Sequence, residues 1–302
     1  MRKYLVWVVF CATLLPSQVS SKVNLFACEP EWSALGRVIG DKNIKAWSAT
    51  SEVQDAHYIR ARPSLIAKIR SAEIVFCSGA GLEVGWLPIL MQRGARTEVQ
   101  PTKVGNFMAF EYVNVLEIPA VIDRSLGDIH PEGNPHLHLD PRNLIILSKE
   151  LARRLAIIDP KNGLVFNSNA DTFSKTWHTN IKNWEFRATK LKNMPIIVHH
   201  KSWSYLINWL GLRQVASLEE KPGIPPSAGY LRKLVAKSKR EAVKVIVRTP
   251  FDDDRPSKWL SNKTGIPAIV LPFTVKRGSG IKQLTTLFET ILENLEKAYA
   301  TR

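Results

Sequence analysis

The sequence is poor in cysteine and, beyond its first residues, has no hydrophobic run long enough to cross a membrane. It contains 3 cysteines in 302 residues, which is too few for a small fold held together by several disulfides. A transmembrane helix needs roughly 20 apolar residues, and the run from Tyr4 to Leu15 is shorter. These two shortages exclude a disulfide-rich scaffold and a multi-span membrane protein.

Motifs of common hydrolases and of nucleic-acid-binding proteins are also missing. The sequence has no H-E-x-x-H motif of zinc proteases and no G-x-S-x-G elbow of serine hydrolases. The formal net charge is +15, yet the basic residues are scattered, without a long basic block or an aromatic-interleaved motif. We therefore expect no nucleic-acid partner, and the charge suits general attraction to anionic membrane surfaces.

The first 21 residues have the pattern of a secretory signal peptide. Arg2 and Lys3 give a basic start, the short apolar run follows, and small or polar residues lead up to Ser21. A membrane anchor is the alternative, but the apolar run is short for it. Cys11 lies inside that run, which disfavours a lipoprotein cleavage site. We expect an exported, soluble mature protein, whose net charge is +13 once two basic residues are subtracted from +15.

Removal of the signal peptide would leave two cysteines, Cys28 and Cys77. Each ends a strand-like run, VNLFAC and AEIVFC respectively. In an oxidising compartment two cysteines suggest one disulfide. If the two strands are neighbours in a parallel sheet, their ends lie about 5 Å apart, within bridging range. The alternative is two buried free thiols.

Short apolar segments alternate with amphipathic ones along the chain, which predicts an α/β fold with two lobes. In the first half the strand-like segments are VNLFAC, IKAWSAT and EIVFC, and VNVLEIP at residues 113–119 is expected to be another short strand. The second half repeats the theme with MPIIVHH, RQVAS, VKVIVRTP and IPAIVLPF. Because strands joined through helices pair in parallel, each lobe should contain a parallel sheet flanked by helices.

One long helix is predicted between the lobes. Its apolar residues recur at spacings of 3 and 4 and form a single stripe: Phe166, Ala170, Phe173, Trp177, Ile181, Trp184 and Ala188. About 25 residues at 1.5 Å each would reach nearly 40 Å, enough to span both lobes; a coiled coil is the alternative. The predicted organisation is a signal peptide at 1–21, an N-terminal lobe at 22–163, the connecting helix at 164–192 and a C-terminal lobe at 193–302.

Several histidines lie where strands end. His57 lies in a loop after a strand-like run, and His136 and His138 lie in a loop that leads into a helix. His199 and His200 end the first strand of the second half. Ligands of open α/β sheets bind beyond the carboxyl ends of the strands, so three separate loops would direct histidines to one crevice. Imidazole is a common zinc ligand, although a single histidine is more often structural.

Four segments, taken in order, resemble the landmark regions of one family. They are DAHYIRARPS, NPHLHLDP, HHKSWSYLINWLGL and DRPSKWLSNKTGIPAIVLPF. From about residue 23 to residue 298 the chain is similar to the zinc- and manganese-type solute-binding proteins of ABC transporters, the cluster A-I family. GDIHPEGNPHLHLDP and FACEPEW look closest to the zinc-binding subgroup that works with a separate periplasmic metallochaperone. The resemblance implies a two-lobed receptor and not an enzyme.

The resemblance also implies the metal ligands. Laid on the family pattern, the ligand histidines are His57, His136 and His200, with zinc as the transported cargo. His138 falls where many relatives carry tryptophan, so it is expected to line the site and is only an accessory candidate for metal contact. His200 is preferred to His199 because the residues that follow it match the family pattern at the right offsets.

The sequence does not identify the remaining metal ligands. The loop after the last strand, LPFTVKRGSGIKQL, has no carboxylate where many relatives supply an acidic ligand, and Lys276 and Arg277 stand where close relatives tend to have two glycines. FDDD at residues 251–254 precedes a helix and is expected to cap it. Accessory metal contacts are predicted from a mobile loop over the site, namely His130, Asp128 and Glu132; a solvated polar loop is the alternative.

Three imidazoles without an evident carboxylate favour zinc over manganese. We expect a monomeric periplasmic protein that captures Zn²⁺ between its lobes and presents it to an ABC transporter permease and its ATPase, with a metallochaperone as a further partner. The alternatives are a manganese receptor or an adhesin of the same fold, and an exported zinc hydrolase with an open coordination position.

Overall fold

Two parallel sheets, one in each half of the chain, form the framework of the protein. The structure is a computed structural model that describes residues 22–123, 125, 127, 129–278 and 281–300, so the predicted signal peptide lies outside the described residues. The first sheet has the order β2-β1-β3-β4 and the second the order β6-β5-β7-β8. The strands are β1 (Val23–Ala27), β2 (Ile44–Ser48), β3 (Ile74–Cys77), β4 (Asn106–Met108), β5 (Pro195–Val198), β6 (Arg213–Ser217), β7 (Val245–Arg248) and β8 (Ala268–Val270). This architecture confirms the predicted fold class.

Helices connect the strands and flank both sheets. They are α1 (Pro30–Gly40), α2 (Pro63–Arg70), α3 (Leu87–Gly94), α4 (Pro141–Ile158), α5 (Gly163–Ala188), α6 (Ser204–Leu210), α7 (Ala228–Arg240), α8 (Asp254–Thr264) and α9 (Ile281–Ala300). Proline begins α1, α2 and α4, where its missing N–H costs nothing. Asp253 caps α8 by accepting a hydrogen bond from the Arg255 N–H, which confirms the capping role predicted for FDDD.

The long helix α5 matches its predicted apolar stripe. It spans 26 residues, and every residue of the stripe is buried. Phe173 stacks on Trp177, and the Trp177 indole donates a hydrogen bond of 2.9 Å to the Pro141 carbonyl at the start of α4. The last helix, α9, packs on both α1 and α5, with the Phe288 ring stacked on Trp184. No described helix is both long enough and apolar enough to cross a bilayer.

The cysteine prediction is confirmed. Strands β1 and β3 are parallel neighbours, and Cys28 and Cys77 form a disulfide where these strands end. Both cysteines are fully buried. The bridge therefore fixes the carboxyl edge of the first sheet, from which the loop to His57 departs.

The strand predicted at residues 113–119 is wrong. The fourth strand of the first sheet is instead β4, three residues long and earlier in the chain. Residues 113–119 leave the sheet because their polar backbone groups find partners in the other half: the Leu116 N–H donates to the Tyr205 hydroxyl. Glu117 adopts a φ of 57°, which is incompatible with a strand. This segment begins a strap, which consists of the described residues between 113 and 135 and passes from the first half to the cleft.

Candidate metal centre

Three loops from both halves of the chain meet where the parallel strands end. His57 lies in a one-turn helix, Ala56–Tyr58, in the loop after β2. His136 precedes a similar turn, Leu137–Leu139, before α4. His200 follows β5 at a distance of two residues. The strands of a parallel sheet all end on one edge, so this topology brings the three loops to one cleft.

The three histidines predicted as ligands lie together. One ring nitrogen from each of His57, His136 and His200 lies within 4.8 Å of the other two. The ring centroids are 5.5 Å apart for His57 and His136, 5.9 Å for His57 and His200, and 6.2 Å for His136 and His200. Residues 79 and 64 positions apart along the chain are thus brought to the same point by the fold.

Two of the rings are oriented by carboxylates. The Nδ1 atom of His57 lies 2.6 Å from Asp55 Oδ1, and the Nδ1 atom of His200 lies 2.7 Å from Glu219 Oε2. Each carboxylate accepts the Nδ1 proton, so the Nε2 lone pair of each ring faces the cluster. This carboxylate–histidine pairing is typical of metal-binding histidines. Asp55 also accepts the His57 backbone N–H at 2.9 Å, which fixes the turn that carries the ring.

His136 has a buried ring nitrogen that lacks a hydrogen-bond partner among the described residues. The residue is buried, and its Nε2 atom has no hydrogen-bond partner among the described residues. Burial lowers the pKa of His136 well below its usual value, and the neighbouring histidines His57, His200, His130 and His138 lower it further. The ring is therefore neutral at physiological pH, which is the form that binds a cation. A buried polar atom without a partner normally costs free energy, and a bound cation would remove that cost.

The carboxylates make the cluster attractive to positive charge. Burial opposes ionisation of Asp55 and of Glu219, but their hydrogen bonds and charge pairing with His57 and His200 outweigh it, so the pKa of each carboxyl is lowered. For His200, burial disfavours the charged form, but the hydrogen bond and charge of Glu219 prevail and raise its pKa. Both carboxylates are therefore ionised, and they stabilise any cation held by the rings.

His138 and His199 lie beside the cluster and not in it. The Nε2 atom of His138 bonds the Phe273 carbonyl at 2.9 Å, and its Nδ1 atom lies 3.1 Å from Glu31 Oε1 without the alignment of a hydrogen bond. The Nε2 atom of His199 lies 3.7 Å from Glu219 Oε1. Both residues are buried and line the cleft cavity. Their ring nitrogens contact the neighbouring groups named above.

The strap brings one of its predicted accessory residues to the cluster. The Nε2 atom of His130 lies 3.1 Å from the Nε2 atom of His57, and the His130 ring centroid lies 6.5 Å from that of His136. Glu132 is exposed. Asp128 lies outside the described residues. His130 is therefore placed to meet a cation at the rim of the cluster, next to His57.

The remaining acidic candidates are engaged elsewhere. Asp252 accepts the Thr249 N–H at 2.7 Å, and Asp254 pairs with Lys258 on α8. The basic turn after β8 also points away from the histidines, because the Arg277 guanidinium bonds the Thr50 and Ala49 carbonyls. No carboxylate joins the three-histidine cluster in the described part of the chain. The cluster opens instead onto a cleft cavity of about 300 Å³ between the halves.

Sequence reasoning missed the two carboxylates that orient the rings. Asp55 is two residues before His57, and this short spacing within DAHYIRARPS was the available signal. Glu219 is 19 residues from His200, and nothing in the sequence joins the two. Their contact exists because β6 lies beside β5, so the loops that follow the two strands are neighbours.

The sequence model of the periplasmic zinc-uptake complex component A family, ZnuA, matches residues 26–298. The chain belongs to this family. It is accordingly a substrate-binding protein of the metal ABC transporter class. The match covers the long helix, all three histidines of the cluster and both sheets except the first three residues of β1.

Characterised relatives extend over most of the chain. The manganese ABC transporter substrate-binding lipoprotein PsaA of Streptococcus mitis is 25% identical, over 86% of this chain and 82% of the relative. A metal ABC transporter substrate-binding lipoprotein of Lactococcus lactis is 23% identical, over 98% of this chain and 94% of its own length. Both names state a transported metal, and only the first names it, as manganese.

Solved structures share the fold of the ZnuA-like chain. A crystal structure of ZnuA superposes with a TM-score of 0.75 at 18% identity, covering 93% of this chain and 99% of that one. A mutant laminin-binding adhesin of Streptococcus agalactiae gives a TM-score of 0.74 at 18% identity, covering 92% and 99%. At these identities the likeness establishes the two-lobed fold alone.

Proposed function

We propose that the protein captures Zn²⁺ as its cargo through His57, His136 and His200 and delivers it to the permease of an ABC transporter. The site lies in the cleft between the two halves, with the boundaries of the lobes as predicted from the sequence. The protein needs no chemistry on a substrate for this task. It holds the ion tightly enough to collect it and releases it at the permease.

The observation that carries this proposal is the convergence of three imidazoles, one of which, His136, has a buried ring nitrogen without a hydrogen-bond partner among the described residues. Zinc–nitrogen bonds of 2.0–2.1 Å in a tetrahedral site place ligand nitrogens about 3.3 Å apart. The three nitrogens here lie within 4.8 Å of one another, so a small approach of the rings completes the site. Three protein ligands leave a fourth position for water, which suits an ion that must later leave.

The ligand set favours zinc. Manganese prefers carboxylate and carbonyl oxygen, whereas imidazole suits zinc. The carboxylates nearest the rings, Asp55 and Glu219, bond ring nitrogens at 2.6 and 2.7 Å and are committed to orienting them. Manganese is the second candidate because relatives such as the Streptococcus mitis lipoprotein are named for it.

Calorimetric titration of the metal-free protein with Zn²⁺ and with Mn²⁺ tests the proposal. We expect one zinc per chain, bound more tightly than manganese. His57→Ala, His136→Ala and His200→Ala should each weaken zinc binding at least about 100-fold, because each removes one of three metal bonds. His178→Ala, an exposed histidine of α5, is the matched control and should bind like the wild type. Tighter binding of manganese would assign the protein to the second candidate.

We further propose that the protein acts in the periplasm after removal of residues 1–21, as a monomer, and that a periplasmic metallochaperone loads it. The placement of His130 beside His57 supports a loading role for the strap, since an ion arriving at the rim would meet His130 first. The net charge expected after that removal, +13 (two basic residues fewer than the +15 of the full chain), suits work close to an anionic membrane surface.

The variant His130→Ala tests whether His130 affects the rate of zinc uptake separately from the equilibrium affinity for zinc. With zinc supplied from a chromophoric chelator, the variant should take up zinc several-fold more slowly, while its equilibrium affinity stays near that of the wild type. The slower uptake follows because His130 offers an imidazole outside the final cluster. Equal losses in rate and affinity would make His130 an ordinary ligand and remove the loading role.

A further inference from the structure

A segment after β8 crosses the cleft and binds the opposite half of the molecule. We call residues 273–277 the clasp. The Phe273 carbonyl accepts a hydrogen bond from His138 at 2.9 Å, and the Thr274 hydroxyl donates to Glu31 Oε2. His138, Glu31 and Phe273 are buried. These contacts join the end of the second sheet to the first half without passing through the three-histidine cluster.

Arg277 closes the outer end of the clasp. Its Nε atom donates to the Thr50 carbonyl at 3.1 Å, and its Nη2 atom donates to the Ala49 carbonyl at 3.3 Å. Its backbone N–H donates to Glu52 Oε2 at 3.2 Å, and its guanidinium lies 5.8 Å from the centroid of the Trp47 ring. One side chain thus holds the residues at the end of β2 in a fixed fork geometry that lysine cannot reproduce.

The residues bound by Arg277 begin the loop that carries a proposed metal ligand. Ala49, Thr50 and Glu52 directly follow β2, and the same loop continues to Asp55 and His57. His57 is held in turn by Asp55 through both its backbone and its ring. The clasp therefore fixes the base of the His57 loop relative to the half that supplies His200. Its contacts are all protein–protein bonds, so they exist without metal.

We propose that Arg277 is a positioning residue, which holds the two halves together in the metal-free protein and thereby slows the departure of bound metal. The kinetic part rests on the proposed function, whereas the closure of the metal-free cleft does not. Metal can leave only when the rings separate, and the clasp keeps His57 and His200 at their closed distance. A ligand that binds only the closed state has an apparent affinity proportional to the fraction of the free protein that is already closed.

Hydrogen exchange of the metal-free protein tests the closure. Arg277→Ala should raise exchange of the amides in residues 49–58 and 273–278 by about tenfold, as expected for losing a partly exposed charge-assisted hydrogen bond. Amides of β1 and β5 should exchange as in the wild type, which shows that the variant is folded. Lys276→Ala is the matched control, because Lys276 is exposed and pairs with no described residue.

Zinc dissociation, followed by mixing the zinc-loaded protein with excess chelator, tests the kinetic part. Arg277→Ala should release zinc about tenfold faster, with an unchanged association rate, whereas Lys276→Ala should match the wild type. Arg277→Lys should behave like Arg277→Ala, because lysine cannot bond both carbonyls at once. Wild-type exchange in the metal-free Arg277→Ala protein would overturn the clasp.

The two proposals fail separately. If the wild type bound no zinc, the proposed function would fail, and the exchange experiment on metal-free protein would still decide the clasp. If zinc bound to the wild type with the expected stoichiometry but left Arg277→Ala at the wild-type rate, the control of release by Arg277 would be wrong and the receptor function would stand.

Discussion

At the scale of single residues, the metal centre is set by which ring nitrogen is free. Asp55 and Glu219 each accept a hydrogen bond from the Nδ1–H of a histidine, and this leaves Nε2 as the nitrogen that can bind a metal. His136 has no such partner on Nε2 and is kept neutral by burial. Three converging imidazoles and two ionised carboxylates in one cleft give a site that attracts a cation.

A second group of buried carboxyls lies behind the cleft. Glu29 and Glu83 are both buried, and Glu83 accepts the Ser78 N–H at 2.9 Å. Burial raises the pKa of Glu83 to about 7, although its hydrogen bonds oppose the rise. Burial, followed by the charge of Glu83, raises the pKa of Glu29 well above its usual value. The pair therefore retains at least one proton near neutral pH.

This pair predicts a pH dependence of stability. Both carboxyls hold protons more tightly in the folded protein than in the unfolded chain, where the pKa is 4.5. The stability contributed by Glu83 is fully present below about pH 4.5 and is lost as pH rises through about 7, and the stability contributed by Glu29 is lost as pH rises through its own raised pKa. Glu29→Gln keeps a neutral group there, so between pH 5 and 8 its free energy of unfolding should fall less than that of the wild type. Urea unfolding of the metal-free proteins measures this, and equal slopes would refute it.

At the scale of elements, the disulfide supports the edge from which the His57 loop departs. It closes a span of 49 residues between β1 and β3. Cross-linking a span of this size restricts the unfolded chain, so reduction should lower the free energy of unfolding by about 2–4 kcal/mol. Urea unfolding with and without reductant measures the loss. The double variant Cys28→Ala, Cys77→Ala should be insensitive to reductant, and a wild type equally insensitive would show that the bridge adds no stability.

Elements with a strong local pattern were predictable from the sequence. The stripe from Phe166 to Ala188 specified α5 because its period matches a helix over many turns. The strand prediction for residues 113–119 was wrong because VNVLEIP has the apolar content of a strand. The hydrogen-bond partner that draws it out of the sheet, Tyr205, is 89 residues from Leu116. The three histidines were found through the family resemblance and the strand-end rule, but Glu219 depends on which loops become neighbours.

At the scale of the whole molecule, the two halves are joined more firmly than by a single linker. Helix α5 runs between them, and α9, although it ends the chain, packs on α1 and α5. Trp184 contacts Phe288 of α9 and Trp209 of α6, so the aromatic core is shared by both halves. Because the two halves share these helices and this aromatic core, we expect them to move only slightly relative to each other. Small movements are enough for histidine rings that need to approach by only about an ångström or two.

The central claim is that His57, His136 and His200 bind one zinc ion together. X-ray absorption at the zinc edge, on protein loaded with one equivalent of zinc, tests it most directly. We expect three imidazole ligands with bonds of about 2.0 Å, one fewer in each single alanine variant of these histidines, and an unchanged spectrum in His138→Ala. Fewer than three imidazoles in the wild type, or a failure to retain one equivalent of zinc, would contradict it.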